Sequence, residues 1–425
     1  MKRRVVVTGV GAISPLGNTI ADTWNGIISG YSGAGHIEQF DASSWPVRIA
    51  CEVKKFELDS QAYKNCDRGL MNRPCEFGMA AAYEAIEDSG FLSSHSSQRF
   101  GVSVGAGIGT IRPGEILRIL ERYDIQPGFE GVSEYLEKSA SQEQGLGLKN
   151  HPGMLAAHLA KRWGAQNRIQ THNTACAASS QSIGEALLAI RRGEADVMLA
   201  GGADSLAGEL LLAGFCLLGV LSQNRGDPKE ASRPFDKSRD GFVASEGAAF
   251  LVLEEFEKAR SRGAKIYCEL KGYGHSENAY RITDLPDDAR GAKYSMESSM
   301  RDAGIGLDEI DYINAHGTST EQNDRVEALA ISDVFYQRGH APRVSSSKSQ
   351  IGHLVAASGA IEAAISVKSA EKQMLVPNIN LSEQTVNDEI QFVRTSQRAD
   401  IRNIISNSFG FGGTNSSLIF GRVDA

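Results

Sequence analysis

The chain has 425 residues, of which 41% are hydrophobic and 23% charged, a composition typical of folded proteins whose core is divided between two or more units. Its formal net charge of −8, with no Lys/Arg-rich block, argues against a nucleic-acid-binding role. Its six cysteines form no CxxC pair, which favours a reducing, cytoplasmic setting over a disulfide framework.

The predicted secondary structure alternates between strands and helices. Short β-branched runs predict strands, and apolar residues that recur every three or four positions predict helices. The predicted strands are Val5–Thr8, Phe100–Gly105, Ala195–Ala200, Ala248–Leu253, Ile266–Gly272 and Ser417–Phe420, and the predicted helices include Arg73–Gly90 and Glu254–Arg262. This alternation predicts an α/β protein with a largely parallel, buried sheet.

Neither of two notably apolar stretches predicts a membrane segment. The apolar run that begins at Val5 is too short for a signal peptide and is typical of a first strand. The run from Leu210 to Leu221 is shorter than the ~20 residues that span a bilayer, so we expect it to form a buried helix.

Gly9 and Gly11 follow the first predicted strand, and they partly match the glycine pattern of a dinucleotide-binding turn. The third glycine of that pattern is missing, so a tight strand-to-helix turn explains them better than cofactor binding. The GxxxxGK[ST] and HExxH patterns do not occur, and the one GxSxG match, at residues 101–105, falls inside the predicted strand Phe100–Gly105 and not at a strand-to-helix turn. Phosphate-loop, zincin-type and common serine-hydrolase chemistry therefore have no support in the sequence.

Cys176 lies where a polar run gives way to small residues, ahead of an amphipathic stretch. This pattern predicts a thiol at the start of a buried helix, where free N–H groups and the helix dipole favour the thiolate. The small neighbours leave room for a substrate carbonyl. An isolated cysteine is more often a packed core residue, but two histidines and a lysine occupy similarly small, polar loops elsewhere in this chain.

His316, His353 and Lys348 lie in loops of glycine and hydroxyl residues. His316 follows a predicted strand, at a sheet end of the kind where open α/β folds bind ligands. His353 lies just ahead of a helical stretch, and serines flank Lys348, where they could hold a buried cation. A metal site made of Cys176 and the two histidines is a competing interpretation, although no pair of these ligands has the short spacing of a metal motif.

The segment Asn407–Asn415 is a glycine-rich loop that holds two phenylalanines ahead of the last predicted strand. Its glycines permit close approach of the backbone and free N–H donors. A phenylalanine on such a loop could act as a movable gate, and an ordinary turn is the simpler alternative.

The two halves of the chain resemble each other weakly. In each, a strand leads through a loop with reactive groups into a small-residue helix, namely the loop of Cys176 and the loop from Val344 to His353. A charged helix ends at Gly263, and no Pro/Ser linker follows it. We therefore expect two pseudo-repeated halves, residues 1–264 and 265–425, in one compact body.

Seven motifs follow one another along the chain: Val5-Val-Val-Thr-Gly, Thr174-Ala-Cys-Ala, Ala200-Gly-Gly-Ala-Asp, Ser232-Arg-Pro-Phe-Asp-Lys, Asn314-Ala-His-Gly-Thr-Ser-Thr, Lys348-Ser-Gln-Ile-Gly-His and Asn407-Ser-Phe-Gly-Phe-Gly-Gly-Thr-Asn. With these motifs in this order, the chain resembles the elongating β-ketoacyl-acyl carrier protein synthases of type II fatty-acid synthesis over almost its whole length. Among these enzymes it resembles the KAS II type most. The resemblance implies a thiolase-like α/β fold with two pseudo-repeated halves in five αβαβα layers, and a homodimer.

The resemblance also implies roles for individual residues. Cys176 would be the nucleophile that takes the acyl chain from the phosphopantetheine of the acyl carrier protein. His316 and His353 would bind the malonyl thioester carbonyl, and Lys348 and Glu327 would belong to a supporting charge network. No metal or other cofactor is implied, because the substrates arrive on the carrier.

Further assignments follow from the same resemblance. The backbone N–H groups of Cys176 and Phe409 would form an oxyanion hole, and the Phe409 ring would be the gate. Thr318 and Thr320 would contact the pantetheine arm. The implied reaction is a decarboxylating Claisen condensation, in which a carbanion from the malonyl thioester attacks the acyl-Cys176 carbonyl.

Four basic residues are candidates, by family position, for docking an acidic acyl carrier protein to this net-negative chain. Ordinary solvated charges would explain them equally well. These residues are Lys64, Arg68, Arg73 and Arg225.

The chain departs from the family pattern at three places. Ala177 stands where many members have threonine, and Gln350-Ile351 stands where Met-Thr is commoner. Residues 111–153 form a stretch longer than its usual counterpart and unlike it. In the family this region borders the acyl pocket and the dimer interface, so we predict an altered acyl-chain preference or a different partner subunit.

Two other functions stay open. The ketosynthase subunit of a polyketide or aryl-polyene pathway uses the same chemistry to make a different product, and a chain-length partner subunit has the fold without the activity. The inactive partner is disfavoured, because the nucleophile and both histidines are intact. A thiolase is disfavoured because no second cysteine follows Cys268.

Overall fold

The structure of the chain is a computed structural model that describes residues 2–93, 97–109, 144–384 and 387–423, together with residues 113, 114, 117 and 121. The departure predicted for residues 111–153 therefore lies largely outside the described residues. None of the described helices is both long and apolar enough to cross a membrane.

Strands and helices alternate as the sequence predicts, and most strands extend beyond their predicted ends. The strands are β1 Val5–Ile13, β2 Gly35–His36, β3 Ile49–Ala50, β4 Phe100–Ala106, β5 Ile169–His172, β6 Val197–Ser205, β7 Glu246–Glu255, β8 Cys268–Glu277, β9 Tyr312–Asn314, β10 Arg343–Ser345, β11 Met374–Leu375, β12 Gln391–Phe392, β13 Gln397–Arg398, β14 Asn403–Phe409 and β15 Thr414–Gly421. The described α-helices are α1 Ile20–Ile28, α2 Arg73–Ser89, α3 Gln144–Lys149, α4 Met154–Trp163, α5 Ala178–Arg191, α6 Glu209–Leu218, α7 Phe256–Ser261, α8 Arg290–Ala303, α9 Glu321–Val334, α10 Lys348–Ile351 and α11 Ser358–Lys372.

Helix α2 shows how local signals set these bounds. The side chain of Asn72 accepts a hydrogen bond from the Cys75 N–H at the start of the helix, and Pro74 lies in the first turn. Gly90 ends the helix with a φ of 62°, a left-handed conformation that favours glycine. The predicted bounds of this helix are thus confirmed.

Gly9 and Gly11 lie inside β1 and do not form the turn that the sequence suggested. A Cβ at Gly9 would lie 2.1 Å from the carbonyl oxygen of Ala85, and one at Gly11 would lie 2.0 Å from that of Ala81. The two glycines therefore allow α2 to pack directly on the strand, which explains them without a bound cofactor.

Eleven of the described strands form one sheet in the order β12-β10-β9-β14-β15-β8-β1-β7-β6-β4-β5. The series β10-β9-β14-β15-β8 repeats β5-β4-β6-β7-β1, with the same parallel and antiparallel pairs in the same order. The two wings meet where β1 pairs with β8. The expectation of a largely parallel sheet is wrong, because the two strands of each wing nearest this junction run antiparallel to their neighbours.

Five layers result from this sheet and its helices. Helices α5 and α11 pack on each other between the two wings, and both contact strands of each wing. Helices α2 and α4 cover the outer face of the first wing, and α8, with α9 packed beside it, covers that of the second. This αβαβα arrangement confirms the predicted fold class.

The expectation of a buried helix between Leu210 and Leu221 is wrong. The helix forms as α6, but only Leu212 is buried in it, and Leu217 is 90% exposed. Apolar composition alone does not show whether such a helix packs against the core of the protein or contacts another molecule.

Candidate active site

Cys176 lies at the entrance to the central helix α5. It occupies the 3₁₀ turn Ala175–Ala177, and Ala175 has a φ of 48°, which is strained for a residue with a side chain. In the second wing the turn Val355–Ala357 precedes α11 in the same way, and Val355 has a φ of 43°. The repeat therefore places Cys176 within one of two matching turns and His353 two residues before the other.

The structure brings Cys176, His316 and His353 together. The Nε2 of His353 lies 3.1 Å from the Sγ of Cys176, and one ligand atom from each of the three side chains lies within 4.8 Å of the others. The two imidazole centroids are 5.3 Å apart. All three side chains are buried, and a cavity of about 220 Å³ is lined by them.

Hydrogen bonds fix the tautomers of the two rings. The Val355 N–H donates to the Nδ1 of His353 at 3.3 Å, and the Oγ of Ser358 lies 2.8 Å from the same atom. The Nζ of Lys348 lies 3.2 Å from the Nδ1 of His316 and donates to the carbonyl of that residue at 2.8 Å. Because each Nδ1 faces a donor, each neutral ring carries its proton on Nε2.

Burial, and secondarily the charge of Lys348, lower the pKa of His316 and His353 well below the ordinary histidine value. Both rings are therefore neutral at pH 7 and offer an Nε2–H. A metal ligand needs the lone pair of that nitrogen, with the proton on Nδ1, where it would face another donor. The arrangement thus favours an oxygen atom of a substrate over the competing metal site.

The expectation of a resting Cys176 thiolate is wrong at neutral pH. Burial raises the pKa of the thiol to about 11, although Lys348 and the backbone N–H groups of Phe411 and Cys176 act in the opposite direction. The loss of solvation thus outweighs the helix-end effect, and the thiol loses its proton only as it reacts.

Two buried carboxylates hold the histidine loops. Glu327 of α9 accepts the N–H of His316 at 2.8 Å and that of Gly317 at 2.7 Å, and Glu362 of α11 forms an ion pair with Lys348. Burial raises the pKa of each carboxyl group to about 7, against these bonds. Glu362 is absent from the sequence-based predictions. The signal for it is a single acidic residue within a run of small and apolar residues.

Phe409 and Phe411 occupy different positions around the sulfur. Phe409 ends β14, is 4% exposed, and packs its ring 5.8 Å from that of His316, so it forms a wall of the cavity. The backbone N–H that acts on the Cys176 sulfur is that of Phe411, whose half-buried ring also lines the cavity. The oxyanion-hole role predicted for the Phe409 N–H therefore fits the Phe411 N–H better, since the latter is the one that acts on the sulfur.

Thr318 and Thr320 both line the cavity, with their hydroxyl oxygens 2.9 Å apart. Asp324 holds their loop by accepting the N–H of Thr318 at 2.9 Å and that of Ser319 at 3.2 Å. The predicted pair thus lies in the same cavity as Cys176.

The predicted carrier-docking residues are not among the described residues that line this cavity. Lys64 is exposed, Arg68 is paired with a neighbouring carboxylate at 2.7 Å, and Arg225 donates to a backbone carbonyl at 2.9 Å. Arg73 is bound to buried Glu246 at 2.6 Å. Docking at Arg73 would have to compete with this ion pair.

Gln350, at one of the sequence departures, is buried and has a structural partner in α1. Its Nε2 donates to the carbonyl of Ile27 at 2.8 Å and to that of Tyr31 at 3.2 Å. Ala177 is also fully buried. Gln350 therefore ties the segment between Lys348 and His353 to the N-terminal wing.

Two family models match the chain in succession. The model described as "Beta-ketoacyl synthase, N-terminal domain" matches residues 2–259, and "Beta-ketoacyl synthase, C-terminal domain" matches residues 267–382. The chain belongs to the beta-ketoacyl synthase family. Members of this family that are similar over nearly their whole length include 3-oxoacyl-[acyl-carrier-protein] synthase 2 of Vibrio cholerae, 40% identical over 426 residues (99% of this chain, 100% of the relative). The enzyme of the same name from Staphylococcus aureus is 36% identical over 425 residues (100% and 99%).

Solved beta-ketoacyl synthases share the fold. A synthase from Burkholderia phymatum superposes with a TM-score of 0.86 at 30% identity, covering 99% of this chain and 100% of that one. The ishigamide ketosynthase/chain length factor gives 0.85 at 33% identity, with both chains covered to 100%. AntDE:AntF, a type II polyketide acyl-carrier protein in complex with its ketosynthase, gives 0.83 at 30% identity, with both chains covered to 100%.

Proposed function

We propose that this beta-ketoacyl synthase condenses an acyl group on Cys176 with malonyl-acyl carrier protein, releasing CO₂ and 3-oxoacyl-acyl carrier protein, in fatty-acid chain elongation. The observation that carries the proposal is the meeting of a thiol and two neutral imidazoles in one buried cavity. Relatives named 3-oxoacyl-[acyl-carrier-protein] synthase 2, similar over almost their whole length, support the same reaction.

In the first step, the Sγ of Cys176 attacks the carbonyl of the acyl thioester on the carrier. The new carbon–sulfur bond replaces that of the pantetheine, and the thiol proton ends on the departing pantetheine sulfur. In this proposal the backbone N–H groups of Cys176 and Phe411, which act on the sulfur, also stabilise the oxyanion of the tetrahedral intermediate. They and the charge of Lys348 also favour the transient thiolate, against the effect of burial.

In the second step, His316 and His353 donate their Nε2–H groups to the thioester oxygen of the malonyl substrate. Loss of CO₂ leaves an enolate whose charge rests on that oxygen, where two N–H donors stabilise it. The charge of Lys348 lies behind His316 and adds to this field. Because both rings are held neutral, they remain donors of fixed tautomer throughout the reaction.

In the third step, the enolate carbon attacks the carbonyl of the acyl-Cys176. A carbon–carbon bond forms, the carbon–sulfur bond breaks, and the sulfur leaves as a thiolate that then regains its proton. In this proposal Thr318 and Thr320, which line the same cavity, hold the pantetheine arm during this step. One residue thus serves as nucleophile and leaving group, which predicts ping-pong kinetics.

Acylation of the intact protein tests this assignment. Radiolabelled acyl-acyl carrier protein should transfer its label to the wild type and to a Cys66→Ala control, whose cysteine lies elsewhere in the fold. It should leave Cys176→Ala unlabelled and unable to form 3-oxoacyl product. Equal labelling of Cys176→Ala would overturn the proposal.

A second candidate is the ketosynthase subunit of a polyketide or aryl-polyene pathway. Its support is the 33% identity to the ishigamide ketosynthase/chain length factor over the whole chain. The two candidates share all three chemical steps and differ in the acyl chain and the carrier. A comparison of condensation rates on saturated and polyunsaturated acyl carriers would separate them.

We further propose that the protein is a homodimer and that it works in the cytoplasm. Each chain would consist of two halves that divide near residue 264. Strand β5 ends the described sheet and leaves Ile169 exposed, which supports pairing with a second copy. Six free cysteines support a reducing compartment. The two family models leave residues 260–266 between them, which supports the proposed division.

A further inference from the structure

Five polar side chains connect the turn that precedes α5 to the end of the hairpin between β14 and β15. The Oγ1 of Thr174 donates to the Oε1 of Gln181 in α5 at 2.6 Å, and the Nε2 of Gln181 lies 3.0 Å from the Nδ1 of His275 in β8. The Nε2 of His275 lies 3.8 Å from the Oε1 of Glu277, which accepts the hydroxyl of Thr414 in β15 at 2.8 Å. These five residues form the polar path.

The hydrogen bonds of the polar path have a defined direction. The Oε1 of Gln181 can only accept, so its amide N–H group donates to the Nδ1 of His275. A neutral His275 therefore carries its proton on Nε2, on the side of Glu277. At 3.8 Å this last contact is too long for a hydrogen bond and acts through charge. All the donors thus point toward the Glu277 carboxylate, from Thr174 at one end and from Thr414 at the other.

Strand register and helix packing bring these residues together. Thr414 pairs directly with Glu277 where β15 lies beside β8, and His275 shares a face of β8 with Glu277 because the two are two positions apart. Helix α5 packs on β8 and holds Gln181, which is 8% exposed. A buried amide costs free energy unless its polar ends are paired, and Thr174 and His275 supply the two partners.

The two ends of the polar path lie beside the two backbone N–H groups that act on the Cys176 sulfur, those of Cys176 and Phe411. Thr174 immediately precedes the 3₁₀ turn that holds Cys176. Thr414 closes the hairpin of Phe411, because its carbonyl accepts the N–H of Gly410 at 2.8 Å. The two segments also contact each other, since a Cβ at Gly410 would lie 3.0 Å from the carbonyl oxygen of Thr174.

The hairpin of Phe411 needs an anchor because its backbone is rich in glycine. Gly412 and Gly413 have φ values of 88° and 94°, a region that few other residues adopt. The Gly412 N–H donates to the carbonyl of Ile282 at 2.6 Å, and the Asn278 N–H donates to the carbonyl of Gly413 at 2.8 Å. These bonds attach the hairpin to the loop after β8, whereas the polar path attaches it to the helix of the nucleophile.

We propose that the polar path positions the N–H groups of Cys176 and Phe411 relative to each other and so sets the geometry of the oxyanion hole for acyl transfer. Its five residues are not among the described residues that line the cavity, so they act through these N–H groups and not on the substrate. An oxyanion donor has to lie about 2.7–3.1 Å from the oxygen, so a small displacement of either segment weakens it. The inference rests on the proposed function, because the two N–H groups stabilise an oxyanion only when an acyl group is transferred.

The test breaks the polar path in its middle and at one end, in the full chain. Gln181→Met keeps a side chain of similar volume and removes both hydrogen bonds, and Thr414→Val removes a hydroxyl while keeping the shape. Thr414→Ser retains the hydroxyl and serves as the rescue variant. The matched control is Thr395→Val, at an exposed threonine that does not line the cavity. Single-turnover transfer of a radiolabelled acyl group from the carrier to Cys176 is measured for each variant.

We expect Gln181→Met and Thr414→Val to slow acyl transfer about tenfold. This loss is smaller than the roughly 10²–10³-fold effect of removing a donor, because the donors are displaced and not lost. Thr414→Ser should transfer the acyl group at close to the wild-type rate, and Thr395→Val should leave the rate unchanged.

Release of CO₂ from malonyl-acyl carrier protein separates positioning from general damage to the fold. In the proposed reaction this step depends on His316 and His353 and not on the oxyanion hole at Cys176. With Cys176→Ala added, Gln181→Met and Thr414→Val should therefore release CO₂ at the rate of Cys176→Ala alone.

Acyl transfer at the wild-type rate in both path variants would overturn the inference. Equal losses of acyl transfer and CO₂ release would also overturn it, because the polar path would then support the fold as a whole. If Gln181→Met does not fold, the comparison of Thr414→Val with Thr414→Ser decides, and equal rates for these two would count against the inference. If the wild type takes up no acyl group at all, the proposed function fails instead, so the two failures are distinguishable.

Discussion

The Nε2 of His353 lies 3.1 Å from the Sγ of Cys176, although 177 positions separate the two residues in the chain. Cys176 lies within one strained 3₁₀ turn and His353 lies two residues before the other, and the two turns precede central helices that pack on each other. The repeated architecture thus produces the contact. It places the thiol of one wing against an imidazole of the other.

Neutral histidines of fixed tautomer are the first expectation. Because burial and Lys348 hold the pKa of His316 and His353 well below the ordinary value, neither ring should titrate between about pH 6 and 8. Imidazole nitrogen NMR, assigned with His316→Ala and His353→Ala, should report the Nε2–H form for both rings over this range. A titration near the ordinary histidine pKa, or an Nδ1–H form, would contradict the donor geometry.

Cys176 should react as a buried thiol. Its pKa is raised to about 11 by burial, so the thiolate fraction increases with pH throughout the neutral range. Alkylation by iodoacetamide should accelerate about tenfold for each pH unit between about pH 7 and 9, without a plateau. The site of modification is checked by peptide mass mapping. A rate that levelled off near pH 7 would show that the thiolate is already formed at rest.

Removal of Lys348 should destabilise the fold through Glu362. Lys348→Met leaves a fully buried carboxylate without its partner, which costs about 3–5 kcal/mol in the free energy of unfolding. The double variant Lys348→Met/Glu362→Gln should recover part of this loss in urea denaturation. Lys237→Met, which breaks an exposed ion pair with Glu383, should change stability very little.

The stability lost in Lys348→Met should depend on pH in one direction. Burial raises the pKa of Glu362 to about 7 even beside Lys348, above its ordinary value, and loss of the lysine charge raises it further. The folded state then binds a proton more tightly than the unfolded state, so stability falls as pH rises. The deficit of Lys348→Met should be larger at about pH 8 than at about pH 5. A deficit that grew on acidification would contradict the ion pair.

The oxyanion role proposed for the Phe411 N–H can be tested separately from that of the Phe411 ring. Phe411→Pro removes the backbone N–H and should lower acyl transfer to Cys176 by about 10²–10³-fold. Phe411→Ala keeps the N–H and should lose far less. Single-turnover labelling measures both, with circular dichroism to confirm folding. Equal effects of the two substitutions would assign the role to the ring.

Much of this site is predictable from sequence where signals are local. The Asn72 cap and Gly90 set the ends of α2, and the glycine and hydroxyl loops identify His316, His353 and Lys348. Interactions that depend on the meeting of distant segments are not predictable in this way. Only the packed fold shows that burial outweighs the helix-end effect at Cys176.

Contacts between distant segments also explain why the sequence did not predict the role of Phe411 or the exposure of α6. The motif around Asn407–Asn415 gives two phenylalanines, but only the meeting of this hairpin with the turn at Cys176 decides which N–H faces the sulfur. Helix α6 is apolar enough for a core, yet its outer leucines find no cover within the described chain. The sequence shows that a segment is hydrophobic, but it does not show whether that segment packs against the protein's own core or against another molecule.

Decarboxylation by a variant without the Cys176 thiol shows directly whether two imidazole N–H groups stabilise the enolate in this cavity. Cys176→Ala should still release CO₂ from malonyl-acyl carrier protein while forming no 3-oxoacyl product. Adding His316→Ala or His353→Ala to it should lower CO₂ release by about 10²–10³-fold, the typical effect of losing one such donor. Undiminished CO₂ release from both double variants would contradict the account.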